Sequence, residues 1–161
     1  MKTIPLTQGK FAIVDNEDFD FLSQWKWAAH HDHNTWYAVR SEKISDGAEY
    51  GKRQLIRMHR VILNAPEKTA VDHKNGDGLD NRRSNLRLAT QEQNLWNQRR
   101  SRRNTSGFKG VSFHKPKKRW RATITANGRQ ITIGAFKTKE AAYEAYKQAA
   151  RILHGEFANV G

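Results

Sequence analysis

Asn127-Gly128 joins two stretches, "RWRATITAN" and "GRQITIGAF", in which aromatic and β-branched residues alternate with polar ones. An Asn-Gly pair accepts the left-handed backbone that the tightest antiparallel connection demands, so this is the strongest short hairpin signal a sequence carries. "GFKGVSFHK" alternates in the same way and adds a third strand. Downstream, "KEAAYEAYKQAARILHG" sets Ala142, Tyr146, Ala149 and Leu153 at helical spacing, with Thr138 where an N-cap belongs and Gly155 beyond the last turn. A three-stranded antiparallel sheet backed by one helix is therefore expected over residues 107–161.

The period of two divides the middle strand. Trp120, Ala122 and Ile124 share one face, and Arg119, Arg121, Thr123 and Thr125 share the other. The apolar face suits the alanine-rich helix, which leaves an Arg/Thr face towards solvent. Lys109, Lys115, Lys117, Lys118 and Arg129 add to its charge. Either this is a solvated basic surface or it reads nucleic acid, and DNA grooves accept ribbons of two or three strands.

Charge favours the second reading. Arg99 to Gly161 holds 15 Lys/Arg against 3 Asp/Glu, a balance of +12, whereas Met1 to Gln98 holds 14 against 13, or +1. Such asymmetry marks a polyanion-binding module joined to something that is not one. An acidic membrane surface would instead want a basic amphipathic helix with bulky apolar residues opposite, which the alanine-faced helix is not. Between the halves, "RRSRRNTSG" is too polar to pack; it reads as a linker whose Arg99, Arg100, Arg102 and Arg103 follow the DNA backbone.

The N-terminal half raises a different question, because "VDHKNGDGLDNRRSNLRLATQEQN" concentrates Asp and Asn around one histidine. A polar surface loop is the plain reading of that composition. The order of elements offers another. "KTAVDH" makes a short strand ending at Asp72-His73, "KNGDGLDNRRS" a long turn-rich loop and "NLRLAT" a second strand. "TQEQNLWNQRR" starts a helix with a capping box of Thr90 and Gln93. In such a ββα unit Asp72, His73 and Asn94 could converge. Asp72 and Asn94 offer hard oxygen ligands for one Mg²⁺ or Mn²⁺ ion, and His73, facing elsewhere, could take a proton from an attacking water.

Other features carry less. "HHDH", His30 to His33, invites a metal reading but falls in a polar turn between "WKWAA" and "WYAVR". Trp25, Trp27, Trp36 and Tyr37 are expected in the core of an N-terminal sheet, with base stacking the minor alternative. His59 and Arg60 open the apolar "RVILNA", where Arg60 either meets a phosphate or caps a helix end. The chain has no cysteine, no run of about 18 apolar residues and no signal-peptide core near its start, so an intracellular, cytoplasmic protein is expected.

Two resemblances sharpen this. With "FKGV", "RWRATI", "IGAF", "KEAAYEAYKQAA" and "HGEFAN", residues 107–161 resemble the DNA-binding domain of the plant APETALA-two or ethylene-response-factor family, also found fused to mobile-element nucleases. The resemblance implies a sheet lying in the major groove, with contacts near Lys109, Ser112, His114, Thr123, Thr125, Gln130 and Thr132. None of these is arginine or tryptophan, so the docking mode carries over and the base preference does not. The segment "DH", then Asn85, then Asn94, with "MHRVILNAP" before it, resembles the homing branch of the HNH endonucleases, with their ββα-metal fold. That implies His73 as general base, Asn85 as a brace for the loop, and Asp72 with Asn94 as ligands of a divalent ion, Asn94 standing where the last His is often found.

Together these give an α+β chain. An HNH endonuclease domain, with a β-rich extension before its ββα core at about 70–98, covers residues 1–98. A basic linker covers 99–106 and a DNA-binding domain 107–161. The expected activity is metal-dependent hydrolysis of a phosphodiester in double-stranded DNA to 5′-phosphate and 3′-hydroxyl ends, one nick per encounter. No membrane and no obligate protein partner is called for; a phage, mobile-element or bacterial setting is. A DNA-binding regulator that has lost activity is the alternative, and a nuclease of structured RNA a third.

Overall fold

The computed structural model of the chain describes residues 1–32, 35–43 and 53–161. It is α+β and divides into two compact units, Met1–Ala89 and Thr90–Gly161.

In the first unit, β1 (Lys2–Pro5) pairs antiparallel with β2 (Phe11–Val14), and α1 (Asn16–Leu22) follows. Next come β3 (Ala28–Asp32), β4 (Thr35–Lys43) and β5 (Arg53–Arg57), an antiparallel sheet in that order, and the short α2 (Met58–Ile62). The hairpin of β6 (Ala70–His73) and β7 (Leu86–Ala89) closes the unit, with Asp72 opposite Arg87 and His73 opposite Leu86. Ile4, Val14, Leu22, Trp27, Met58 and Leu86 are buried in one core, against which Trp25 and Trp36 are partly buried. The tryptophans thus have the structural role expected of them; Trp27 Nε1 donates to Leu22 O at 2.8 Å.

One expectation needs correction here, and the alternatives for Arg60 are narrowed to the cap beyond its helix. His30, His31 and Asp32 end β3 rather than forming a turn, because each pairs in register with Tyr37, Trp36 and Thr35 of β4; His33 lies outside the described residues. His31 packs edge-on against Trp36, ring centroids 4.9 Å apart. Arg60 is committed to its own backbone, its guanidinium donating to Thr69 O at 2.6 Å and Pro66 O at 2.7 Å, so it braces the loop after α2.

The second unit opens with α3 (Gln91–Asn97), whose capping box is formed: the Thr90 side chain accepts from Gln93 N, and the Gln93 side chain accepts from Thr90 N. β8 (Val111–His114), β9 (Arg119–Ala126) and β10 (Arg129–Phe136) make an antiparallel sheet in the order β10-β9-β8, and α4 (Lys139–His154) packs across it. Asn127 and Gly128 both have positive φ, 53° and 68°, as the hairpin reading requires. Thr138 caps α4 by accepting from Ala141 N at 3.1 Å.

The buried stripe of α4 is Ala142, Tyr146, Ala150 and His154, one residue round from the expected line at its far end; Leu153 is 40% exposed. The reason is polar. His154 turns inward, and its Nε2 donates to Thr125 O at 2.8 Å. The expected first strand is also shorter, because Gly107 and Gly110 take positive φ and bend the chain before Val111. Gly110 admits no side chain, since a Cβ there would meet the Tyr146 ring. The end of the polar "RRSRRNTSG" stretch is packed: Ser106 is buried, its hydroxyl lying 2.8 Å from Asn104 Oδ1 and 3.0 Å from Phe108 O.

Candidate active site and nucleic-acid interface

The density of Asn and Asp after His73 has a structural cause. The loop between β6 and β7 is long and polar, and its side chains supply the hydrogen bonds that regular structure would otherwise give. Asn85 ties its two ends together: its Nδ2 donates to Asp80 O at 2.7 Å and Asn75 Oδ1 at 3.1 Å, and its Oδ1 accepts from Asn75 N at 3.1 Å. Asp77 Oδ1 accepts from Leu79 N at 3.0 Å. Asp80 accepts from Asn75 Nδ2 at 2.9 Å and from Arg82, which holds its carboxyl below the usual carboxylate range. The loop is fastened to β2 as well, since Ile13 N donates to Leu79 O and Asn81 N donates to Ile13 O, both at 2.8 Å.

His73 ends β6 at the mouth of this loop and is 5% exposed. Its Nε2 lies 3.3 Å from Asn81 Oδ1. The Asn81 amide is fixed by its other end, whose Nδ2 donates to Leu79 O at 3.2 Å, so the oxygen faces the imidazole. Nε2 is thereby the ring nitrogen placed to donate to Asn81. Burial lowers the affinity of His73 for a second proton, opposed by the bond to Asn81 and by the nearby Asp72. Burial thus favours the neutral ring, with Nε2 turned to the Asn81 amide.

Asp72 precedes it and is also buried, with Arg87 Nε and Nη2 donating to its Oδ2 at 2.8 Å and 2.7 Å. His59, from α2, meets His73 edge-on with centroids 5.0 Å apart, and Tyr37 packs against both. Burial first, then neighbouring His73, lowers the His59 pKa to about 2, so it contributes a neutral ring. Gly78 fits under Trp36 and Tyr37, where a Cβ would strike the Tyr37 ring.

Asp72, His73 and Asn85 therefore share one hairpin and its loop, while Asn94 lies on α3 in the second unit, half-buried. Among the described residues no group of three or more His, Cys, Asp or Glu side chains is placed to hold a metal ion. The oxygens of Asp72 and Asn94 are nonetheless the donors that a hard divalent cation takes. Sequence reasoning missed Asn81, Asn75, Asp80 and Arg87. Arg87 was within reach, because hairpin register sets it across from Asp72; Asn81 gave no signal beyond its type.

In the second unit the register gathers the expected DNA contacts. Ser112 pairs with Arg121, His114 with Arg119, Thr132 with Thr123 and Gln130 with Thr125. By pleat parity all eight share the sheet face opposite Ala122 and Ile124, which pack on α4. Ser112, Arg121, Thr125, Gln130 and Thr132 are exposed. Lys117 and Lys118 occupy the β8–β9 turn and Arg129 flanks the β9–β10 turn, all exposed, as are Arg99, Arg100, Arg102 and Arg103. Lys109 is elsewhere. Its ammonium donates to Trp96 O and Gln98 O, both at 2.6 Å, and burial lowers its pKa to about 8.

Two family models match the chain. The family model described as HNH endonuclease matches residues 64–95, and the AP2 domain model matches residues 106–156. An uncharacterized HNH endonuclease of Acanthamoeba polyphaga mimivirus is 32% identical over 154 residues, which cover 94% of this chain and 74% of the relative. Protein 3.8 of Escherichia phage T7 is 39% identical over 93 residues, 58% of this chain and 76% of that protein. No solved structure matches.

Proposed function

Because the chain belongs to the HNH endonuclease family and carries an AP2 domain in its C-terminal part, we propose that it is a metal-dependent DNA endonuclease of the homing type, with His73 as general base and Asp72 and Asn94 as ligands of one Mg²⁺ or Mn²⁺ ion. The observation that carries this reading is the buried His73 ring at the end of β6, its Nε2 3.3 Å from the Asn81 amide oxygen. The neutral His73 imidazole takes the proton from a water as its oxygen attacks the scissile phosphorus. Asn81 orients the ring through its contact with Nε2. Asn85 holds the loop that carries Asn81. Arg87 holds the Asp72 carboxylate by donating to its Oδ2 at 2.8 Å and 2.7 Å, which orients the group that would meet a cation. When bound, a divalent ion supplies Lewis-acid polarisation of the phosphate and charge for the leaving oxygen.

The C-terminal sheet docks in the major groove through the face of Arg119, Arg121, Thr123 and Thr125, with the linker arginines on phosphates. One site per chain cuts one strand per encounter, leaving a 5′-phosphate and a 3′-hydroxyl. The phage and viral relatives support an intracellular setting for a DNA substrate. An inactive DNA-binding regulator is favoured by one feature, the Arg87 guanidinium held on the carboxylate meant for metal. His73→Ala separates the two. Bound to a labelled duplex within about threefold of the parent affinity, it is expected to release no fragment; continued cutting would remove His73 from the role of base.

A further inference from the structure

The helix that carries Asn94 has seven residues, too few to stay folded alone, since isolated helices shorter than about 12 residues are marginal in water. Its first turn is closed by its own capping box. Its last turn is closed from elsewhere. Lys109, before β8, donates to the carbonyls of Trp96 and Gln98, both at 2.6 Å, and Asn159, near the end of the chain, donates through Nδ2 to the carbonyl of Asn97 at 2.7 Å. Three consecutive carbonyls that a helix end leaves without intrahelical partners are thereby satisfied. The Trp96 indole stacks on the His154 imidazole with centroids 4.3 Å apart and planes 9° apart, and His154 is itself tied to Thr125 O on β9. At the other end, Glu92 Oε1 accepts from Gly128 N in the β9–β10 turn at 2.8 Å.

All of these partners belong to the sheet-and-helix unit that the AP2 match covers or adjoins. We propose that the C-terminal unit has a second function besides binding DNA: through Lys109, Asn159 and His154 it clamps α3 and so positions Asn94. Lys109 is then a positioning residue and not a phosphate contact. The inference rests on the reading of Asn94 as a ligand, and the two can fail separately.

The test uses the full chain and its variants Lys109→Met, Lys109→Arg, Asn159→Ala and Asn94→Ala. Hydrogen exchange is read at the amides of Leu95, Trp96 and Asn97, with β9 and β10 as the folding control. Affinity for duplex DNA and cleavage at saturating DNA are read beside it. Lys109→Met is expected to lower protection in α3 by about tenfold with β9 and β10 unchanged, through loss of charge-assisted bonds. Cleavage should fall by a similar factor, while affinity and its salt dependence stay at the parent values and Lys109→Arg restores both protection and rate. Asn159→Ala, which removes one neutral bond, carries the same test where Lys109→Met fails to fold. Parent-like α3 protection and rate in Lys109→Met and Asn159→Ala, beside an inactive Asn94→Ala, would overturn the clamp alone. So would a Lys109→Met whose salt slope drops by about 0.9 with α3 unchanged, the signature of a lost phosphate contact. Full cleavage by Asn94→Ala would overturn the reading of Asn94 and the inference with it.

Discussion

Asn81 is wholly buried and spends both ends of its amide: two bonds fix its orientation, and its oxygen lies 3.3 Å from His73 Nε2. Asn81→Leu removes the acceptor and leaves the Nε2 proton of His73 without that bond, so cleavage is expected to fall by about 10²-fold, while Asn81→Asp, which keeps an oxygen, retains more of it. Single-turnover rates at saturating DNA check this; equal losses in both would show that the contact does not orient the base. Asp80 gives a pH prediction. Its pKa is lowered in the fold by Arg82, so it stabilises the protein above its unfolded pKa of about 3.9, and that stability is lost as pH falls through the lower folded value. Asp80→Asn should therefore lose less stability than the parent on acidification below about pH 4, measured by urea unfolding. A parallel loss would mean that other carboxylates govern acid unfolding. At this scale type and spacing mark Asp72, His73, Asn85 and Asn94 as candidates, and the structure brings the first three onto one hairpin and its loop. Asn81 is not marked in this way, because an Asn in a polar loop looks like any other turn residue until the fold brings it to His73.

Secondary structure was the most legible level, and its errors have local causes. The capping box at Thr90, the Asn127-Gly128 turn and the Thr138 cap are short-range devices that a sequence states outright. The stripe of α4 was misplaced at its end because a histidine was not counted as core, although its bond to Thr125 makes it so. Charge alone does not distinguish a phosphate contact from a helix cap, and the Lys109 ammonium donates to Trp96 O and Gln98 O. The loop between β6 and β7 depends on Asn85, whose three hydrogen bonds hold both of its ends. Asn85→Ala is expected to cost about 2 kcal/mol of the first unit's stability. It should also raise exchange at loop amides, including that of Asn75; an unchanged unfolding midpoint would contradict the bracing role.

Across the whole molecule the charge is +12 in the last 63 residues and +1 in the rest, and the proposed function assigns DNA holding to the first and cutting to the second. Deleting Arg99 to Gly161 should weaken binding and flatten its salt dependence by about 0.9 per lost phosphate contact. It should also abolish cleavage at any DNA concentration, because α3 loses Lys109, His154 and Asn159. A deletion that cut normally at saturating DNA would leave the C-terminal unit with binding alone. The most direct measurement is a supercoiled-plasmid assay of the intact chain and His73→Ala in Mg²⁺, in Mn²⁺ and in EDTA. Relaxed circles that form only with metal and only with His73 present are the expected result. Tight DNA binding without product in either metal would contradict it and make the chain a DNA-binding regulator.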